Sequence, residues 1–153
     1  MTTISQKLSD LNITLPNAAA PAANYVPFVK SGNLLFISGQ LPFENGQLIH
    51  KGRLGENVSL EDGYKAARQC AINLIAQINA AGGLEKVRRI VRLGGFVNST
   101  GDFTDQPKVV NGASDLFVEV FGDAGRHARS AVGNVMLPNQ ISVEIEGIVA
   151  VKG

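Results

Sequence analysis

Near its C-terminus this chain places a strong cation and a strong anion in its most strand-like segment. The stretch "HARSAVGNVMLPNQISVEIEG", residues 127–147, reads as two apolar strands joined at Leu137-Pro138-Asn139, yet it opens with Arg129 and carries Glu144 in the second strand. A guanidinium binds a carboxylate through two parallel hydrogen bonds in one plane. At the start of a strand beside a subunit boundary, Arg129 would anchor a small organic acid. The ordinary alternative is an ion pair with one of the chain's own acids. Glu144 and Glu146 alternate with Val143 and Ile145. A carboxylate on a strand can hold and polarise a water as a general base, and two glutamates on a solvated strand face have the same spacing.

Other chemistry is thin. His50 and His127 are too isolated to suggest a metal site. The only cysteine, Cys70, falls near an apolar helical stripe and reads as a packed small residue, so neither an intrachain disulfide nor a cysteine zinc site is available. "GRLGENVS" lacks the Gly-Lys-Ser/Thr of a phosphate loop. No cofactor and no metal are expected. A formal charge of +1 over 153 residues counts against a nucleic-acid partner. The polar N-terminus "MTTISQKLSDLN" lacks a signal-peptide core, and no segment is long enough to span a membrane. The expectation is a cytoplasmic protein with no membrane partner.

The elements that must position these residues follow from periodicity. Thr3 caps a short helix with Ile4, Leu8 and Leu11 on one face. The Pro/Ala connector "LPNAAAPAANY" leads to strands at 25–30 and 34–40 around the turn Ser31-Gly32-Asn33, with a short third strand near Leu48–His50. Ser59 starts an amphipathic helix that ends at Gly82-Gly83. "VRRIVRLGGFVN" is a strand with its glycine pair at a bulge. "DQPKVVNGASDLFVEVFG" is a second long helix with Pro107 in its first turn. The order, a short helix and then β-β-β-α-β-α-β-β, predicts an α+β sandwich of one sheet with helices on one face. One domain is expected over 1–153, with helix and connector in 1–24 and the core in 25–151. Neither face of the strand from Arg129 is solvent-like, so the uncovered sheet face predicts a homo-oligomer.

"RSAVGNVMLPNQISVEIEGIVAV" resembles the signature segment of the YjgF-type reactive intermediate deaminases, also called L-PSP endoribonucleases: an Arg, an apolar strand, "LP", a short turn, and a strand containing Val/Ile-Glu-Ile. "YVPFVKSGNLLFISGQLP" resembles the family's first hairpin and "DFTDQPKVVNGASDLFVEVFGD" its second helix, so the likeness covers residues 25–151. It implies a chorismate-mutase-like fold and a homotrimer with ligand clefts between subunits. It also implies hydrolysis of reactive enamines and imines, such as 2-aminoacrylate, to a keto acid and ammonia. By this resemblance Arg129 clamps the substrate carboxylate and Glu144 holds the attacking water. Tyr25, Ser38 and the backbone at Gly39 line the cleft, and Asn111 sits at its edge. His127, two residues before the clamp, would donate a proton to departing ammonia. The cysteine often found two residues after the arginine is Ala131 here, and the N-terminal extension points to a longer branch of the family. A carboxylate-binding or regulatory protein without turnover is the alternative; a ribonuclease fits the near-neutral charge less well.

A tight hairpin at Pro138-Asn139 would set Arg129 opposite about Val149 and Glu144 opposite about Asn134, some five strand steps or about 16 Å apart. That is too far for one small acid to touch both within one chain. The simplest resolution draws Arg129 from one subunit and Glu144 from its neighbour.

Overall fold

The computed structural model describes residues 2–153. Its first two helices begin where capping residues stand. Thr3 Oγ1 accepts from the Gln6 amide at 3.1 Å at the head of α1 (Ile4–Asp10). Ser59 Oγ accepts from the Asp62 amide at 3.1 Å at the head of α2 (Leu60–Ala80). Each bond satisfies an amide that a helix start leaves unpaired. Beyond α2, Gly82 and Gly83 take φ of 147° and 102°, which a side chain resists. α3 (Gln106–Phe121) carries Pro107 in its first turn, where the missing N–H costs nothing.

The strands are β1 (Phe28–Ser31), β2 (Leu34–Gln40), β3 (Phe43–Glu44), β4 (Gln47–Leu48), β5 (Val87–Asn98), β6 (Ala128–Asn134) and β7 (Val143–Val151). Five of them form the main sheet in the order β1-β2-β7-β5-β6. Every pairing is antiparallel except β5 with β6. The α+β class with one main sheet and a short N-terminal helix is the one expected. Leu93 and Val97 of β5 and Val143, Ile145 and Val149 of β7 are completely buried beneath α2 and α3. The two helices approach closely because Gly112 has no side chain: a Cβ there would stand 2.0 Å from the Tyr64 carbonyl. The Tyr64 hydroxyl donates to Asp115 Oδ2 at 2.7 Å across the same junction, and that bond is the main reason its pKa rises to about 12.

Four local expectations need correction. The first strand starts at Phe28, because Tyr25 lies in a bend whose amide bonds to the Ala23 carbonyl. The third strand is the two-residue ribbon β3–β4, separate from the main sheet and turned by Asn45 and Gly46 at φ of 51° and 78°. The glycine pair of β5 lies in regular register, Gly94 with Glu146 and Gly95 with Ile145; the irregularities fall earlier, between Val87 and Arg92. Leu137-Pro138-Asn139 closes no hairpin. β5, α3 and β6 form a crossover that lays β6 parallel to β5 on one side, while β7 pairs with β5 on the other. The chain from Val135 to Ser142 must therefore step across the end of β5. Arg53 steadies that step, with Nη2 donating to the Val135 carbonyl at 2.5 Å and Nε to Asn98 Oδ1 at 3.3 Å; Asn98 Nδ2 in turn donates to the Ile141 carbonyl at 3.2 Å.

The sheet face away from the helices stays apolar and open. Val29, Phe36 and Val132 are 53%, 42% and 45% exposed there. No helix among the described residues is long and apolar enough to cross a membrane.

Candidate functional site

The sheet sorts the two charged residues onto opposite faces. Arg129 pairs with Leu93, and Leu93 with Gly147. Leu93 is fully buried, and a Cβ at Gly147 would touch Leu74 of α2, so this row faces the helices. Glu144 lies three residues from Gly147 and pairs with Phe96, so it points to the open face. Two strand spacings and three strand steps put the two backbones about 14 Å apart. One chain does not bring Arg129 and Glu144 together. The expectation of distance holds, for a reason other than the hairpin that suggested it.

On the helix face, Arg129 Nη1 donates to Ser114 Oγ at 3.0 Å and Nη2 to the Pro107 carbonyl at 3.1 Å. Asn111 lies between those residues on the same side of α3, one turn from each. Both partners of the guanidinium are neutral. Among the described residues no carboxylate lies within 4.0 Å of Arg129, so the ion pair that could have explained it is absent.

Ser114 continues the chain. Its hydroxyl lies 2.8 Å from His127 Nε2, and His127 Nδ1 lies 2.6 Å from the Gly125 carbonyl. A carbonyl only accepts, so Nδ1 carries the proton and Nε2 accepts from Ser114. Arg129 thus donates to Ser114, Ser114 to His127, and His127 to Gly125. Burial holds His127 below the usual imidazole range, the Gly125 bond raises it, and the Arg129 charge lowers it again. His127 therefore stands neutral with both nitrogens occupied, its ring edge against Phe117. It bonds to Ser114, which accepts from Arg129, and the proton-donor role expected from sequence would require it to give up one of its two bonds. Ser114 is the residue that sequence reasoning missed. The signal was a hydroxyl on α3 three positions from Asn111, beside an otherwise apolar stripe.

The neutral His127 makes a stability prediction with a definite sign. Its folded pKa is depressed, so the unfolded chain takes up the proton first on acidification. The stabilisation is complete above about pH 6.5, the ordinary imidazole value. It is lost as pH falls through the depressed folded value. The urea midpoint of the native protein should drop more between pH 7.5 and pH 5 than that of His127→Gln. Parallel pH curves for the two proteins would show that His127 does not titrate against folding.

On the open face, Glu144 lies flat over β2. A Cβ on Gly39 would stand 2.8 Å from Glu144 Cδ and 2.9 Å from Oε2, so only glycine leaves the carboxylate its place. Glu146 lies over Gly94 in the same manner, but it meets Arg92 at 3.9 Å. Glu144 has no such cation among the described residues. Desolvation, followed by the charge of Glu146, raises its pKa. Gly39 and Ser38 sit where the β2–β7 register shifts between Ile37 and Gln40. Ser38 Oγ donates to the Val26 carbonyl at 2.8 Å, and Tyr25 lines the same cleft as Ser38 and Gly39. The candidate residues thus form two groups: Tyr25, Ser38, Gly39 and Glu144 in one, Asn111, His127 and Arg129 in the other. Among the described residues no three His, Cys, Asp or Glu side chains converge as a metal site would require. Cys70 is buried against the Val143 carbonyl, with its thiol pKa pushed up by burial.

Residues 5–146 match the family described as "YjgF/chorismate mutase-like, putative endoribonuclease". The chain belongs to this family. Within the YjgF family it is 47% identical over 148 residues to protein TCP17 of Trypanosoma cruzi, covering 95% of this chain and 92% of that one. It is 34% identical over 136 residues to the 2-iminobutanoate/2-iminopropanoate deaminase of Salmonella typhimurium, covering 89% and 94%. The crystal structure of protein Atu1372 from Agrobacterium tumefaciens superposes with a TM-score of 0.92 at 48% identity, over 97% of this chain and 92% of that chain.

Proposed function

We propose that the protein hydrolyses reactive imines and enamines of small carboxylic acids, releasing a keto acid and ammonia, in clefts between the subunits of a homotrimer. The observation that carries this reading is the pair of uncompensated charges: Arg129 on one face of the sheet without a carboxylate, and Glu144 on the other without a cation. Each lacks what a substrate complex would supply. The exposed apolar face around Val29, Phe36 and Val132 is the natural contact between copies. The likeness to an iminobutanoate deaminase supports the chemistry.

Arg129, held in plane by Ser114 and the Pro107 carbonyl, takes the substrate carboxylate through its remaining N–H groups. Glu144 of the neighbouring subunit accepts a proton from a water as the water oxygen bonds to the imine carbon. An enamine is first protonated at its terminal carbon, which gives the protonated imine. After the water has added to it, the proton on Glu144 passes to nitrogen, the C–N bond breaks toward nitrogen, and ammonia leaves as the hydroxyl of the adduct gives its proton to Glu144 and becomes the carbonyl. A carboxylate with a raised pKa suits both transfers, since it holds the proton between steps more readily than a solvated one. Orientation of an already electrophilic carbon supplies the rest.

The test generates 2-aminoacrylate with a serine dehydratase and follows pyruvate release. Addition of the protein should raise the rate at least tenfold, and Arg129→Ala should abolish the gain. An unchanged rate with this and several other amino-acid-derived imines, together with tight binding of a keto acid, would make the protein a carboxylate binder without turnover.

A further inference from the structure

One oxygen separates the imidazole of His127 from the guanidinium of Arg129. Ser114 Oγ lies 2.8 Å from His127 Nε2 and accepts from Arg129 Nη1 at 3.0 Å. A hydroxyl has one proton and two lone pairs. With His127 neutral, that proton points at Nε2 and one lone pair receives Arg129. A proton added at Nε2 reverses the first bond: the ring donates, both lone pairs are filled, and the hydroxyl proton turns away. The bond to the Gly125 carbonyl survives, because Nδ1 donates in either state. The ring can therefore become charged without leaving its place.

The charges on the elements around His127 single out one of them. On α3, Asp115 accepts from Tyr64 of α2, and Glu119 acts on the same tyrosine. In the turn Gly122–Gly125, Asp123 is held by Arg89 of β5 and by Arg126. Arg92 of β5 meets Glu146 on the open face. After burial and the Gly125 bond, Arg129 is the only charge among the described residues that shifts His127, and it opposes a proton there. A carboxylate on Arg129 cancels that opposition.

We propose that His127 couples proton binding to carboxylate capture: a substrate anion on Arg129 draws a proton onto His127, and a proton on His127 tightens the hold on the anion. This rests on the reading of Arg129 as the clamp of the imine site. The coupling is reciprocal, as any two linked binding events must be. Affinity for the anion should therefore rise as pH falls below about 6.5, the ordinary imidazole value. Glu144 of the neighbouring subunit is the other titratable group of the proposed cleft. Loss of its charge on acidification acts in the same direction, so the test separates the two.

Calorimetric titration of the intact protein with pyruvate, from pH 8 to pH 5 and in buffers of different ionisation enthalpy, reads affinity and proton uptake together. Affinity should rise about fivefold over that range, as a partly screened unit charge provides. In His127→Gln, whose amide oxygen can still accept from Ser114, the rise and the proton uptake should shrink; in Glu144→Gln they should persist. A second readout needs no variant of His127. The chain has two histidines, and in NMR titrations pyruvate should raise the pKa of His127 and leave that of His50 in place. Arg129→Ala should raise the His127 pKa without pyruvate. A His127 pKa that is the same with and without saturating pyruvate, or identical pH profiles for the native protein and His127→Gln, would overturn the coupling and leave imine hydrolysis standing. If pyruvate does not bind, or if binding ignores Arg129→Ala, the reading of the clamp falls and the coupling with it.

Discussion

Arg129→Ala chains and Glu144→Ala chains, each inactive alone, should regain activity when unfolded together and reassembled. The sheet gives the reason. Arg129 faces α3 and Glu144 faces the open side, about 14 Å away along and across the strands. A substrate that touches both must sit between two copies. In a ring of three, every mixed assembly holds one cleft whose arginine and glutamate are both native. Random mixing of equal amounts therefore restores about a quarter of native activity. Each variant alone should fall by a factor of a hundred or more, the order expected when a positioned acid–base group or a carboxylate clamp is removed. Pyruvate release, with mass spectrometry confirming mixed trimers, is the measurement. Mixed trimers with no recovered activity would place both residues in one chain's cleft and remove the inter-subunit site.

Glu144→Gln should make the protein both inactive and more stable. Its turnover should fall by about 10²- to 10⁴-fold, the usual worth of general acid–base catalysis. The stability change follows from the raised pKa of Glu144, caused first by desolvation and then by Glu146. The unfolded chain releases this proton near pH 4.3, the ordinary glutamate value, while the folded chain keeps it longer. Stability therefore falls as pH rises from that value through the raised folded one, and stays reduced at pH 7. A neutral glutamine escapes this loss. The urea midpoint of Glu144→Gln should exceed that of the native protein at pH 7, and the difference should close below about pH 4. Gly39→Ala serves as the partner variant. Its methyl group occupies the place of the carboxylate, so Glu144 must swing away and turnover should fall while Arg129-dependent binding of pyruvate persists. Full activity in Gly39→Ala would mean that the position of Glu144 over β2 is irrelevant to the chemistry.

The parts of this fold that rest on local rules are legible in the sequence. Thr3 and Ser59 cap helices because their hydroxyls satisfy nearby amides, and the apolar stripes of α2 and α3 need only a period of 3.6 residues. The pairing of β6 and β7 is different. Leu137-Pro138-Asn139 looks like a turn and is one, but a turn does not say whether its flanking strands pair with each other. Here β5 comes between them, brought there by a strand some thirty residues upstream and by the handedness of the α3 crossover. Alternation likewise groups Glu144 with Glu146 without telling which of them finds a cation. That depends on Arg92 of β5, placed by the same pairing. The candidate site is legible to the same degree. Arg129 and Glu144 stand out as charges in apolar strands, and the resemblance named their companions. The hydroxyl of Ser114 joins Arg129 to His127 only once α3 lies against β6, so local pattern could not show it.

The strand at the centre of the sheet is the last of its five strands in chain order. β7 (Val143–Val151) pairs with both β2 and β5. Until it arrives, both of those strands present an unpaired edge, and Leu35 and Leu93 have no finished core to enter. At about 5–20 residues per second, synthesis of these residues takes on the order of ten to thirty seconds. The sheet cannot close before β7 is made, so β2 and β5 wait with open edges through most of that time. Loss of even the last ten residues would delete the central strand and should leave an aggregation-prone chain in place of a trimmed protein.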